Sequence, residues 1–377
     1  MVQTILAALG LGLIFWTYAG YPLVQRMFPG RPLQRSSNPE RRPTVSVVFA
    51  AYNEVGVIEE KIRSIFKTTY PAELLEVRIG SDLSNDGQDE KIRELQSEFP
   101  RLHLHINEVR SGKSATMNHL VDGVQSEAII ATDANILFTP ETIDELVWPL
   151  VQGFGATAGH LTYQKQGASS GTAQFETSYL TLENSIKAAE SAKYGFCLGM
   201  EGGLYAIKKA LWKPIPPHTF MEDFFQTMQL VERGERIHFN PNAVGLEDVS
   251  TSAKEEYKRK IRISMGNWQN LARFWKLLFL RPFPLGYAFL SHKVLRWFTP
   301  HLYLLSTVAG LFSPEPLIFI PLLAIPVLEW AVSRMRPQKE NALGYFYKMN
   351  WALLVGFIRY LGGINSSVWQ PTKRNQQ

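Results

Sequence analysis

One cysteine, Cys197, occurs in 377 residues. A single thiol cannot form an internal disulfide or supply a cysteine-based zinc site, and Cys197 is best read as a small buried hydrophobe. Glycine-rich phosphate signatures are missing where they would count. The first two candidate strand-to-helix turns carry neither G-x-G-x-x-G nor a Gly-Lys-Ser/Thr loop with its upstream glycine. A dinucleotide fold and a P-loop ATPase are therefore disfavoured. No internal repeat and no low-complexity tract is present. Net charge is small, +5 from 39 basic and 34 acidic residues. The basic clusters abut long apolar runs, which argues for a lipid surface and against nucleic acid.

Charge is absent altogether from Val2 to Val24, a run long enough to cross a bilayer. A signal peptide is the competing reading, but it wants a basic start and a short apolar region. Arg26, Arg31, Arg35, Arg41 and Arg42 follow the run, opposed only by Glu40. The expectation is an uncleaved anchor, residues 1–25, with a basic linker, 26–43, on the cytoplasmic side. A second apolar region runs from Trp297 to Pro314, turns at Glu315-Pro316, and returns from Leu317 to Val332. Basic residues flank both ends and are missing from its tip, so both ends are expected in the cytoplasm. Tyr345 to Gly363 is interrupted by Lys348 and Arg359 and is left open as a span, a re-entrant piece or an interfacial helix. The division expected is a catalytic domain over 44–273, an interfacial helix over 274–296, membrane helices over 297–364 and a tail over 365–377. Integral attachment to an inner or plasma membrane follows.

Between the apolar ends the pattern alternates. Strand-like runs at Val45–Ala51, Val77–Ser81 and Ala128–Thr132 are separated by helical spacing at Val57–Thr68 and Ser114–Val124. Leu102–Ile106 reads as an edge strand and Gly87–Phe99 as a polar helix. Alternation of this kind implies an α/β fold with a mostly parallel sheet flanked by helices. Carboxylates stand where those strands end: Glu54, Asp82 and Asp133, with a Glu222-Asp223 pair later. Open α/β sheets bind ligands outside the carboxyl ends of their strands.

Each residue also has a plainer reading. Ser84 and Asp86 suit helix caps. Lys113, opening a helix in Gly112-Lys113-Ser114, suits a phosphate or open solvent. Asp133-Ala134-Asn135 suits either an Asx turn or a hard cation such as Mg²⁺ or Mn²⁺. Gly167-Ala168-Ser169-Ser170-Gly171 fits the serine-hydrolase G-x-S-x-G pattern, but no strand precedes it, and a polar loop is preferred. His103 and His105 lack a third ligand and read as solvated.

Six stretches in one collinear order change the weighting: AAYNE, DLSNDG, RSGKSATMN, TDAN, MEDF and RKIRISMGNWQ. Together they resemble the inverting glycosyltransferases of family 2, over about Thr44 to Arg273, and the membrane flanks resemble the branch that includes cellulose and hyaluronan synthases. The resemblance implies a GT-A fold with N- and C-terminal transmembrane helices. It implies a metal-dependent enzyme moving sugar from a nucleotide-sugar, a UDP-sugar by preference, to a glycan or lipid-linked acceptor. Envelope or exopolysaccharide synthesis is the implied setting, with membrane lipids and export subunits as partners. By position, Ala51, Tyr52, Glu54 and Asp82 would cradle the nucleoside, with Lys113 nearby. Asp133 and Asn135 would hold Mg²⁺ or Mn²⁺, and Asp223 would be the catalytic base. Arg262 would meet the diphosphate, while Glu222, Arg259 and Gln269 would meet the acceptor. Two departures stand out. Arg259 and Ile263 replace the glutamine and tryptophan of the family's Q-x-x-R-W motif, which weakens the case for a long, processively held glycan. Asn135 in place of a second aspartate removes one negative charge from the metal site. The alternative reading is a non-catalytic scaffold of the same fold in a polysaccharide-export complex.

Overall fold

The computed structural model describes residues 1–36, 41–163, 171–247, 253–335 and 341–363. The G-x-S-x-G stretch falls largely outside them. The chain divides into two compact units. One contains Pro29–Ala168 and Glu183–Thr251. The other contains Met1–Phe28, Ser169–Leu182 and Ser252–Gly363.

The first unit is built on one mixed sheet. Its strands are β1 (Val45–Ala51), β2 (Leu75–Ser81), β3 (Leu102–Ile106), β4 (Ala128–Thr132), β5 (Leu137–Phe138), β6 (Ala156–Tyr163), β7 (Leu204–Lys208) and β8 (Ile237–Glu247). They lie in the order β3-β2-β1-β4-β7-β6-β8-β5. β1 runs parallel to both β2 and β4, and β2 parallel to β3. β7 is antiparallel to β4 and β6, and β5 to β8. β6 and β8 are parallel. All the expected strands are present, and β3 is the edge strand the sequence suggested. The mixed half, β5 to β8, lies beyond what the alternation revealed.

Strand order explains where a ligand can enter. The chain steps from β1 outward to β2 and β3, then returns to place β4 on the other side of β1. A crevice opens at such a reversal, between the carboxyl ends of the two strands that flank it. Here those ends are Ala51 and Thr132. β1 is buried along its whole length, as its β-branched and apolar residues require. The helix Val55–Phe66 covers the sheet with Val57, Ile58, Ile62 and Ile65. Their spacing is that of one helix face. Linker arginines fold back onto this unit: Arg35 meets Glu145 at 3.2 Å, Arg41 meets Glu127 at 2.7 Å, and Arg42 meets Asp144 at 3.1 Å. These three of the five basic residues read as a membrane flank thus also tie the linker to the domain. Such exposed pairs contribute little each, about 0–1 kcal/mol.

The second unit is helical. Val2–Phe15 continues through a π-helical turn, Trp16–Gly20, into Tyr21–Met27. Among the described residues, Val2–Met27 alone is long and apolar enough to cross a membrane, a test that a signal sequence at an N-terminus also passes. The expected C-terminal hairpin exists as helices Leu295–Leu311 and Ile320–Met335. Its apolar stretch Pro316–Val332 is shorter than a span by the same measure, so length and composition do not carry the expected C-terminal membrane helices. Tyr345 to Gly363 falls within and just beyond the helix Ala342–Leu361.

That last helix packs closely on Ala253–Phe274. Ser264 donates its hydroxyl to the Leu353 carbonyl at 2.7 Å. A Cβ on Gly356 would stand 2.3 Å from Ser264 Cβ, so only glycine fits the approach. The helix Ala253–Phe274 carries Arg259, Arg262, Gln269 and Arg273, as their spacing indicated, and groups with the terminal helices instead of the sheet.

Candidate active site

Two turns at the sheet's carboxyl edge are stitched together by side chains. Asn53, left-handed at φ 53°, accepts from the Asn85 N–H at 2.9 Å, and its own N–H donates to Ser84 Oγ at 3.1 Å. Glu54 N–H donates to Gln88 Oε1 at 3.0 Å, and Val55 N–H to Asp86 Oδ2 at 2.9 Å. Asp86 also accepts from the Gln88 N–H at 3.1 Å. The helix Gln88–Glu98 has Gly87 at its N-cap and no side-chain cap, so Ser84 and Asp86 are not simple caps of the helix that follows; both bind the neighbouring turn. Ala51 lies buried at the end of β1, with Tyr52 partly exposed beyond it.

Asp82 is fully buried and accepts four hydrogen bonds. Asn107 Nδ2 donates at 2.9 Å and Arg110 Nε at 3.2 Å. The N–H groups of Ser111 and Gly112 donate at 2.7 and 3.1 Å. The carboxylate thus anchors the segment that leads into the helix Gly112–Asp122. Arg110 completes the arrangement by lying over the Tyr52 ring, 3.4 Å from its centre.

The next residue along, Lys113, is the centre of the site. Its ammonium is 2.6 Å from Asp133 Oδ1 and 2.6 Å from Glu222 Oε1. Burial alone would lower its pKa, but Asp133 and Glu222 outweigh that and hold it above the ordinary lysine value. Asp223 stands beside this pair at the start of the helix Glu222–Glu232, after Met221 in the left-handed conformation. Gly202 N–H donates to Asp223 Oδ2 at 2.6 Å, and Phe224 N–H to Oδ1 at 2.7 Å. Burial and then the neighbouring Glu222 push the Asp223 carboxyl up to about 7; Lys113 and the two N–H groups restrain the rise. A Cβ on Gly202 would come within 3.2 Å of Asp223 Oδ2 and 3.4 Å of Lys113 Nζ, so the glycine lets the backbone approach both. The antiparallel pairing Thr132↔Leu204 brings Gly202 to Asp133.

Asp133 keeps 38% of its side chain exposed, and Asn135 is buried, its Nδ2 meeting no partner. The carboxylate of Asp133 and the amide oxygen of Asn135 are the hard oxygen types that a cation such as Mg²⁺ or Mn²⁺ takes. No group of three or more His, Cys, Asp or Glu forms a metal-holding cluster among the described residues. Arg259, Arg262 and Gln269 belong to the helical unit. His103 lies 3.8 Å from Glu76, and His105 stacks on His119 at 3.9 Å, so the two are not simply solvated.

Three residues escaped the sequence reading. Arg110 opens the stretch RSGKSATMN but carried no role of its own in that reading. Tyr205, buried in β7 beneath the carboxylates, has its phenol pKa raised by burial and then by Glu222 and Asp223. Lys61 is fully buried on the helix Val55–Phe66. Its position on the apolar face of Ile58, Ile62 and Ile65 was the available signal. Burial drives its pKa well below the ordinary value, against the attraction of Asp133.

Residues 46–200 match the family model described as Glycosyl transferase family 2. That stretch of the chain is therefore similar to the family 2 glycosyltransferases. It is 24% identical over 261 residues to a probable glycosyltransferase, YdaM, of Bacillus subtilis (strain 168), covering 64% of this chain and 60% of that protein. It is 31% identical over 112 residues to the beta-monoglucosyldiacylglycerol synthase of Trichormus variabilis, covering 29% and 24%. The chain thus spans less than two thirds of the length of these curated relatives. Its fold is that of a mannosyltransferase from Pyrobaculum calidifontis solved with GDP-Man and Mn²⁺, at a TM-score of 0.70 and 21% identity, over 94% of this chain and 99% of that one. The mixed, helix-flanked sheet shares the fold of its GT-A neighbours.

Replacing one Asp82 oxygen by an amide group would turn a donor toward groups that already donate. Asp82→Asn is therefore expected to destabilise the domain by about 3 kcal/mol. Thermal or denaturant unfolding measures it, and a variant as stable as the parent would show that the carboxylate does not anchor the 107–112 segment.

Proposed function

We propose that this protein is a membrane-bound, inverting glycosyltransferase that moves a sugar from a nucleoside-diphosphate sugar to a glycan or lipid-linked acceptor. The observation that carries the reading is the grouping of Lys113, Asp133, Glu222 and Asp223 at the sheet's switch point. Asp223 is the base. Its two oxygens are oriented by the Gly202 and Phe224 N–H groups, and its raised pKa lets it accept a proton near neutral pH. The acceptor hydroxyl gives its proton to Asp223 as its oxygen attacks the anomeric carbon. The bond from that carbon to the diphosphate oxygen breaks on the opposite face, which inverts the centre.

Asp133 and Asn135 would hold Mg²⁺ or Mn²⁺, which would neutralise the departing diphosphate. The Mn²⁺ bound by the Pyrobaculum enzyme supports this assignment. Tyr52, Glu54 and Asp82 are assigned to the nucleoside and its surrounding shell. Arg262 is assigned to the diphosphate and Glu222, Arg259 and Gln269 to the acceptor, on the motifs alone. GDP-Man in the same relative makes GDP-sugars as reasonable a donor class as UDP-sugars.

Asp223→Asn tests the base. It is expected to lower kcat by at least ~10³-fold while donor binding stays near normal; full turnover would remove the assignment. In the unaltered enzyme, kcat/KM should rise with pH through about 7, because the working form of Asp223 is the ionised one. A profile flat from pH 5 to pH 9 would count equally against it.

Attachment rests on Val2–Met27 and on the stretch that follows the helix Ala253–Phe274, where Phe279, Leu280 and Phe283 are more than 70% exposed beside Arg281. Aromatic and basic residues of this kind belong at a bilayer interface. The C-terminal helices are proposed to enter the same membrane, with the sheet domain on the cytoplasmic side, where nucleotide-sugars are. A reporter fused after Arg42 should read cytoplasmic. A reading from the opposite side would overturn the topology.

A further inference from the structure

The core of the sheet domain contains one residue that packing does not require. Lys61 is fully buried, yet it occupies a place on its helix where an apolar side chain would serve. Burying an ammonium costs more than burying an isosteric methionine, unless hydrogen bonds of some consequence repay it.

Its partners lie at the active site. Lys61 Nζ donates to Thr132 Oγ1 at 2.9 Å and to the Ile136 carbonyl. Its third side faces the Phe138 ring, 3.9 Å from the centre. The two acceptors bracket Asp133-Ala134-Asn135, so one ammonium closes both ends of that turn. Thr132 Oγ1 passes the connection on by donating to the Gly203 carbonyl at 2.7 Å. The adjoining Gly202 N–H holds Asp223 at 2.6 Å. The Ile136 side chain packs against Gly203 as well: a Cβ there would stand 3.1 Å from Ile136 Cγ1. A hydrogen-bonded chain and a packing contact therefore link the Asp133 turn to the loop that aims Asp223.

We infer that Lys61 is a positioning residue that locks the donor-binding turn and the Gly202-Gly203 loop to each other, so that Asp133 and Asp223 keep a fixed separation. The inference rests on the proposed donor and base roles of those two residues. Lys61 itself touches neither substrate nor reacting atoms. A separation held by one side chain matters because small misplacements of reacting groups cost rate steeply.

Lys61→Met in the full-length protein tests it, with three readouts. Thermal stability should be unchanged or raised, since an apolar isostere replaces a buried charge. Donor turnover should lose at least ~10-fold in kcat with a smaller change in KM. Amide exchange should rise at least ~10-fold in 132–137 and 200–204 together, with β1 and β2 unchanged. Parental turnover, or an activity loss that merely tracks a lower melting temperature, would overturn the inference. Thr132→Val cuts the same chain without touching Lys61 and serves if Lys61→Met does not fold. Loss of turnover there, restored by Thr132→Ser, supports the lock, and parental turnover and exchange overturn it. A parent that turns over no donor defeats the proposed function instead, and the exchange comparison, which needs no donor, still decides the lock.

Discussion

Negative charge gathered at one point is the constraint around which the sheet domain is arranged. Asp133 and the consecutive pair Glu222-Asp223 come from distant parts of the sequence and meet at the end of β4. Like charges this close are unfavourable unless a cation stands among them. Lys113 is that cation, 2.6 Å from both Asp133 and Glu222. Asp223, the member without a direct ammonium contact in that set, is the one whose pKa rises toward neutrality. Asp133 and Glu222 are engaged by the Lys113 ammonium, and Asp223 is held instead by the Gly202 and Phe224 N–H groups.

The framework around that cluster follows from the same requirement. Asp82 holds the segment that delivers Lys113, using both oxygens and four donors. Gly202 brings its N–H to Asp223 where a side chain would crowd Lys113. Lys61 ties the Asp133 turn to that glycine pair from below. Each support is a backbone or buried side-chain hydrogen bond in low dielectric, where a satisfied network is rigid and an incomplete one is costly. The exposed linker ion pairs contribute far less.

Much of the parallel half was legible in the sequence. β1 and β4 are uninterrupted apolar runs, and the carboxylates just beyond β1, β2 and β4 follow from strands that end at a ligand-binding edge. Beyond β4 the signals fade for physical reasons. β5 has two residues, Gly159 interrupts β6, and Pro241 interrupts β8, so none presents a clean alternation. Partnerships were less legible still. Lys113 and Glu222 are far apart in sequence, and only the antiparallel pairing of β4 with β7 gathers the pieces. Lys61 was visible as a charge on an apolar helix face, but its acceptors at Thr132 and Ile136 belong to a different element. The serial motifs carried the resemblance, and the long-range pairing gathers the candidate cluster.

The central claim is that this carboxylate cluster binds and cleaves a nucleoside-diphosphate sugar. The most direct measurement is nucleotide release by the purified full-length protein from a panel of UDP-, GDP- and dTDP-sugars, with Mg²⁺ or Mn²⁺ and with chelator, in the presence and absence of a lipid extract. Release from one donor class is expected, abolished by chelator and suppressed by Asp223→Asn. No release from any donor by folded protein, with or without extract, would contradict it.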